Sequence, residues 1–159
     1  MTDFEKALQL ALPAHLGQTD KAGAPYILHP LRLALSLQSE AEQVTALLHD
    51  VVEDSNTTIE DLSEAGFSAE VVEAVRCLTK IDGAPDRPGS DYLRRIAANP
   101  LARAVKLADL CDNMDLSRLS ELGEEDLPRI RKYMDSYRYL IDGAHLACPP
   151  DRAGFEAGC

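Results

Sequence analysis

The segment ALLHDVVED places four side chains capable of chemistry at the end of an apolar run. Glu53 lies four residues after His49, and Asp54 lies four residues after Asp50. Residues four apart share one face of a helix, so a helix through this segment predicts two adjacent polar stripes. One stripe carries a nitrogen ligand and the other carries only oxygens. The pattern suits a metal ion held by the first turn and a water-handling carboxylate in the second.

Two further candidate ligands lie outside this segment. His29 opens the second predicted helix, and Asp109, in VKLAD, lies on the helix that follows a long loop. With His49 and Asp50 they make a set of two imidazoles and two carboxylates. That set suits a borderline-hard divalent ion such as Mn²⁺, with open positions for water. From spacing alone a purely structural role for the His-Asp pair stays open.

The elements that must position these residues are predicted to be helical, because apolar residues recur at three- and four-residue steps almost throughout. Proline, glycine and capping residues divide the pattern into helices near 3–17 (interrupted by Pro13), from Pro30 onward, 40–54, 57–64, 68–79, 90–98, 100–114 and 125–141. No convincing strand is found. The sequence therefore predicts an all-α fold, a single compact bundle of about six to eight helices. We expect the domain to span 1–145 and a flexible C-terminal tail to span 146–159.

The loop IDGAPDRPGS contains two glycines and two prolines and is the clearest break in the helical pattern. Its length and composition predict a mobile lid over residues 82–90.

Composition limits the classes of partner. The 159 residues are 45% apolar and 27% charged, with a formal net charge of −11, which indicates a globular protein without a nucleic-acid or anionic-membrane partner. A small anionic substrate remains compatible, because a bound cation reverses the local field. The absence of a signal peptide or a long apolar segment predicts a cytoplasmic protein.

Four motifs, AHLGQTDKAGAPYILHP, ALLHDVVEDSNTT, LTK and VKLAD, occur in this order between about residues 7 and 118. In this combination the chain resembles the HD-domain hydrolases of the Rel/SpoT family, which remove the 3′-diphosphate of the alarmone (p)ppGpp. The chain is too short to hold the synthetase domain of the long members, so it is most similar to the stand-alone small alarmone hydrolases.

The resemblance implies roles for six residues. It assigns Glu53 and Asp54 to positioning and activating the attacking water, without deciding which of them is the base. A two-metal site would need more imidazoles than the chain retains, so one Mn²⁺ ion is expected. The metal ligands that the resemblance implies are His29, His49, Asp50 and Asp109.

The resemblance also implies contacts with the substrate. Lys21 matches a lysine of the family's N-terminal loop, and Asn113 matches an asparagine near the nucleoside. Arg129 and Tyr133, four residues apart on the last helix, match an arginine and a tyrosine that reach phosphates in small members. Lys106 either supports the site or lies on a solvated face.

Three positions depart from the long hydrolases. Asp20 stands where an arginine usually precedes the lysine, and Leu110 and Asp112 stand where KLADRLHN has arginine and histidine. The family's arginine helps to hold the nucleobase, and a carboxylate cannot stack on a purine as a guanidinium does. Arg32 is either a phosphate contact or part of a salt bridge. The reaction class is retained by this pattern, whereas specificity for guanine is open.

Three functions therefore remain in competition. The first is Mn²⁺-dependent hydrolysis of (p)ppGpp-type alarmones with release of pyrophosphate. The second is an HD phosphohydrolase for another nucleotide, such as (p)ppApp or NADPH. The third is a non-catalytic nucleotide-binding module. All three predict a small nucleotide as the partner, without nucleic acid or membrane, and leave the oligomeric state open.

Overall fold

Helices joined by short turns and longer loops run from Asp3 to Leu146 in the computed structural model, which describes residues 1–81 and 83–146, the side chains of 143–146 excepted. Within this part of the chain eight helices of six or more residues and one single turn, α4, are found, and no β-strand. The all-α prediction is confirmed. Beyond Leu146 the predicted tail lies outside the described residues. The helices are α1 (Asp3–Ala14), α2 (Leu28–Ser36), α3 (Glu40–Leu48), α4 (Val51–Asp54), α5 (Ile59–Glu64), α6 (Ala69–Leu78), α7 (Asp91–Ala98), α8 (Pro100–Asn113) and α9 (Leu127–Leu146).

Capping residues explain where most of these helices begin. Ser39 caps α3 in a reciprocal box with Glu42. Asn99 caps α8 with Pro100 in its first turn, which agrees with the predicted helix start at residue 100. The cap of α5 lies one residue later than predicted. Thr58, rather than Thr57, is the capping residue. Its hydroxyl accepts the backbone N–H of Asp61, and the Asp61 carboxylate accepts the Thr58 N–H at 2.7 Å.

Helix α3 lies at the centre of the bundle, packed against α1, α2, α6 and α8. All five residues from Val44 to Leu48 are buried, including Thr45. A helix that is apolar on every side needs neighbours on every side. The surrounding helices therefore place the end of α3, and the polar residues that follow it, in the interior.

The prediction of one continuous helix over 40–54 is wrong. The structure has two segments, α3 and α4, separated by His49 and Asp50. The carbonyl of Ala46, which the Asp50 amide would use in a regular α-helix, accepts a hydrogen bond from His49 Nδ1 at 2.7 Å. The Asp50 backbone adopts φ −104° and ψ −5°. The junction turns the His49 and Asp50 side chains toward each other, rather than leaving them on two parallel stripes.

Among the described residues, no helix combines the length and the apolar character that crossing a membrane requires.

Candidate active site

Four side chains from three separate segments meet beside the α3–α4 junction. Ligand atoms of His29, from α2, and of His49 and Asp50 lie within 4.8 Å of one another. His49 Nε2 is 2.9 Å from Asp50 Oδ2. Asp109 approaches from α8 on the His29 side, with Oδ1 at 3.1 Å from His29 Nε2. The structure thus brings three of the four predicted metal ligands, His29, His49 and Asp50, within 4.8 Å of one another and places the fourth, Asp109, beside His29.

The two imidazoles are oriented by hydrogen bonds at their far nitrogens. His49 Nδ1 donates to the Ala46 carbonyl, an acceptor only, so this nitrogen carries a proton. His29 Nδ1 lies 2.7 Å from Asp112 Oδ2. These partners leave both Nε2 atoms facing the carboxylates of Asp50 and Asp109. Such outer partners fix the tautomer of metal-ligating histidines.

The geometry and charge of this cluster fit a divalent cation. Separations of 2.9 and 3.1 Å match the roughly 3 Å expected between adjacent ligand atoms of an octahedral ion with bonds of about 2.1 Å. Burial alone would lower the pKa of His29, but its hydrogen bonds with Asp109 and Asp112 outweigh burial and raise the pKa to about 9. The same field of carboxylates that holds protons on the rings favours a metal ion between them.

Asp109 is held by two neighbours on its own helix. Lys106 Nζ donates to Oδ2 at 2.9 Å, and Asn113 Nδ2 donates to Oδ1 at 2.6 Å. Burial would raise the pKa of Asp109, but the Lys106 ammonium and His29 hold it well below its usual range. Lys106 is buried rather than solvated, so it supports the site. Asn113, predicted to contact the nucleoside, also positions this carboxylate.

Tyr26 is a site residue that the sequence analysis missed. Its hydroxyl donates to Asp50 Oδ2, and its ring packs against the rings of His15 and His29, with centroids 4.9 and 5.5 Å apart. Burial and the adjacent Asp50 raise its pKa, so it remains a hydrogen-bond donor. Tyr26 could have been identified from its position three residues before His29, just ahead of α2.

The two acids beyond the ligands have different surroundings. Glu53 lines the cleft that contains His49, Asp50 and Asp109, and its Oε1 accepts the backbone N–H of Lys80. Asp54 Oδ2 lies 3.4 Å from Nδ1 of the buried His15. Burial raises the pKa of both carboxyls, and for Asp54 the charge of Asp50 adds to this effect. Both acids are placed near the ligands, with their proton affinity increased.

The residues predicted to contact substrate line two depressions that share one lining residue, Asn113. The cleft beside the ligands, of about 150 Å³, includes Asn113 and Tyr133. A smaller depression of about 50 Å³ includes Lys21 and Arg129 and shares Asn113 with the first. Arg129 is paired with Asp126 on the preceding turn. The cleft is also lined by Lys80, Asp86 and Lys132, which the sequence analysis did not select.

Asp112 and Asp20, two of the departures from the family pattern, form an internal charge network. Asp112 accepts Arg32 Nε at 2.7 Å and Arg32 Nη2 at 2.9 Å, as well as Arg118 Nη2 at 3.2 Å. Arg118 Nη1 also donates to Asp20 Oδ2 at 3.3 Å. Arg32 therefore forms a salt bridge. The two carboxylates are neutralised behind His29, and Leu110, the third departure, is buried in the core.

A helical bundle that brings two histidines and one aspartate together, with a second aspartate beside His29, defines a candidate metal-dependent hydrolase site. Residues 7–114 match the HD domain family, and the chain belongs to that family. HD domains bind divalent metals, which agrees with the residues gathered here.

Two relatives that are named as 3′-pyrophosphohydrolases match most of this chain. The chain is 45% identical over 165 residues to guanosine-3′,5′-bis(diphosphate) 3′-pyrophosphohydrolase of Vibrio cholerae, covering 93% of this chain and 23% of that protein. It is 34% identical over 121 residues to the protein of that name in Aquifex aeolicus, covering 70% and 17%. The chain thus spans about a fifth of the length of these relatives. The chain is an HD phosphohydrolase homologous to these 3′-pyrophosphohydrolases, as its sequence motifs predicted.

A solved structure is similar over most of both chains. It is that of a metazoan ortholog of SpoT that hydrolyses ppGpp and plays a role in starvation responses. The TM-score is 0.66 at 27% sequence identity, covering 90% of this chain and 85% of that chain. The similarity supports the helical HD fold.

Proposed function

We propose that this protein hydrolyses the 3′-diphosphate of (p)ppGpp-type alarmone nucleotides and releases pyrophosphate. One Mn²⁺ ion would be held by His29, His49, Asp50 and Asp109. The observation that carries the proposal is the convergence of these four side chains next to Glu53, in a chain homologous to 3′-pyrophosphohydrolases. A two-imidazole, two-carboxylate set suits Mn²⁺ and leaves positions for water.

The reaction requires a nucleophile and a neutralised phosphate. When bound, a divalent cation lowers the pKa of water and offsets phosphate charge. Water attacks the phosphorus attached to the 3′ oxygen, the bond between that oxygen and phosphorus breaks, and the 3′ oxygen takes up a proton. The proton lost by water passes to Glu53 or Asp54, whose raised pKa values suit a general base.

The nucleotide would extend from the cleft into the smaller depression. Lys21 and Arg129 supply positive charge there, and Tyr133 and Asn113 line the path between. These contacts are part of the proposal and rest on the residues' positions around the two depressions. Arginine suits bidentate binding of phosphate, and lysine acts as a point charge.

A second substrate class is favoured by the Asp20 and Asp112 network. Where long hydrolases have an arginine and a histidine, this chain has carboxylates that are bound to Arg32 and Arg118. The side chains that could contact a nucleobase therefore differ from those of the long hydrolases. Adenosine counterparts such as (p)ppApp, or NADPH with its 2′-phosphate, belong in the test on this ground.

The test is a substrate panel of ppGpp, ppApp and NADPH, each with Mn²⁺, with Mg²⁺ and with chelator. We expect pyrophosphate release from ppGpp or ppApp with Mn²⁺ and none with chelator. Asp54→Ala should abolish release, whereas Glu60→Ala, on the exposed face of α5, should retain it. If phosphate were released from NADPH and from no other substrate in the panel, the result would favour the second substrate class.

Two outcomes would contradict the proposal. Turnover by Asp54→Ala at the wild-type rate would remove the proposed role of that acid. Nucleotide binding without turnover of any substrate in the panel would favour the non-catalytic module. Circular dichroism of each variant establishes that the comparison is made between folded proteins.

A further inference from the structure

Three lysines from three different elements surround one carboxylate at the edge of the cleft. Asp86 Oδ2, in the loop between α6 and α7, lies 3.7 Å from Lys80 Nζ, 3.9 Å from Lys106 Nζ and 3.7 Å from Lys132 Nζ. We call Lys80, Lys106 and Lys132 the lysine triad. In a chain of net charge −11, three ammonium groups around one point form an unusual concentration of positive charge.

Asp86 is a poor match for the triad. All three separations exceed the length of a hydrogen bond, so the contacts are loose ion pairs. Its other oxygen, Oδ1, is buried and has no hydrogen-bond partner within residues 1–81 and 83–146. The single negative charge of Asp86 cannot neutralise all three ammonium groups. Lys106 is also paired with Asp109, but positive charge is still left over among the three lysines. An anion with more oxygens and more charge would satisfy this pocket better.

The triad adjoins the proposed metal centre. Lys106 Nζ is 2.9 Å from Asp109 Oδ2 and 3.9 Å from Asp86 Oδ2, so these two oxygens lie no more than 6.8 Å apart. The triad lines the same cleft as His49 and Glu53. An anion at the position of the Asp86 carboxylate is therefore next to the ligand set.

We propose that the lysine triad is an anion subsite for the second phosphoryl group of the diphosphate, and that the Asp86 carboxylate competes with that group for it. The proposal rests on the proposed function, since it places one phosphoryl group at the metal ligands and the other at the triad. It also assigns the pyrophosphate product to this pocket. Lysine ammonium groups bind phosphate as point charges, and here their charge is already focused on one site.

The test is calorimetric titration of inorganic pyrophosphate into metal-free protein, in buffer without chelator. Asp86→Asn removes the competing charge and should tighten binding by roughly fivefold or more, whereas Lys132→Met should weaken it by a similar factor. Matched controls are Asp91→Asn, an exposed acid of α7, and Lys6→Met, a half-buried lysine of α1. Both should bind pyrophosphate within about twofold of the wild type, because neither side chain lines the cleft and charges in contact with solvent are screened.

Unchanged or weaker binding by Asp86→Asn would overturn the proposal, as would equal losses in Lys132→Met and Lys6→Met. Lys80→Met replaces Lys132→Met should that variant fail to fold, because Lys80 lies at the same distance from Asp86. The titration involves neither metal nor turnover. It therefore succeeds or fails independently of alarmone hydrolysis, and active enzyme with unaltered variant affinities would refute the subsite alone.

Discussion

Asp112 accepts hydrogen bonds from His29, Arg32 and Arg118, on the side of His29 that faces away from the other ligands. Burial would raise the pKa of Asp112, but His29 and Arg32 hold it well below its usual range. The carboxylate is therefore an anion that fixes the ring of His29. The family pattern has a histidine at this position, so this chain uses a different group behind the ligand, supported by its own pair of arginines.

Replacing Asp112 by alanine should weaken Mn²⁺ binding without removing any ligand. Loss of the acceptor frees the His29 ring to rotate and to change tautomer, and outer partners of this kind contribute about 10–100-fold in metal affinity. Isothermal titration with Mn²⁺ measures the effect. Asp115→Asn is the matched control, since Asp115 is exposed and only 3.8 Å from Arg118 Nε. Wild-type affinity in Asp112→Ala would show that the ring is held by packing alone.

At the scale of elements, α8 presents a different chemistry on each face. Lys106, Asp109 and Asn113, spaced three and four residues apart, share the face toward the cleft. Leu110 is only 1% exposed and packs in the core, whereas Cys111 is exposed. The departure at 110 therefore changes the core contact of α8 as well as the group available near the nucleotide.

Leu110→Arg, which restores the residue of the long hydrolases, should destabilise this protein. An arginine at a buried apolar position leaves a charge without a partner, and such substitutions cost on the order of 3 kcal/mol or more in the free energy of unfolding. Cys111→Arg, at the exposed neighbouring position, should change stability by about 0.5 kcal/mol or less. Urea denaturation of both variants measures the difference. Equal stabilities would indicate that α8 rotates to expose residue 110.

The sequence predicted the helices well because caps and apolar periodicity are local signals. Asn99 with Pro100 located the start of α8, and the sequence motifs predicted the four proposed ligands. The interruption at His49 was missed, because it depends on a side-chain hydrogen bond to Ala46 that competes with the helical backbone. Asp86 was missed for another reason. Its three lysine neighbours come from distant segments, and no local pattern reports such a contact.

At the scale of the whole molecule, the proposed metal site joins parts of the chain that are far apart in sequence. α2 contributes His29, the α3–α4 junction contributes His49 and Asp50, and α8 contributes Asp109. A cation that binds this set binds only when the helices are packed together, so its binding energy adds to the stability of the fold. The excess of acidic residues, with a net charge of −11, acts in the same direction by attracting cations.

Mn²⁺ should therefore raise the thermal unfolding midpoint of the wild-type protein, and Asp109→Asn should lose most of that increase. At a free Mn²⁺ concentration 100 times the dissociation constant, the expected stabilisation is about 2.7 kcal/mol, or roughly 5–10 °C for a chain of this size. Differential scanning calorimetry with and without Mn²⁺ gives the shift for each protein against its own metal-free baseline. That comparison is necessary because Asp109→Asn also weakens the pairing of buried Lys106. Asp91→Asn, an exposed residue of α7 that does not line the cleft, should retain the wild-type shift. An equal Mn²⁺ shift in Asp109→Asn would show that the ion is held without α8, and the four-residue ligand set would then be wrong.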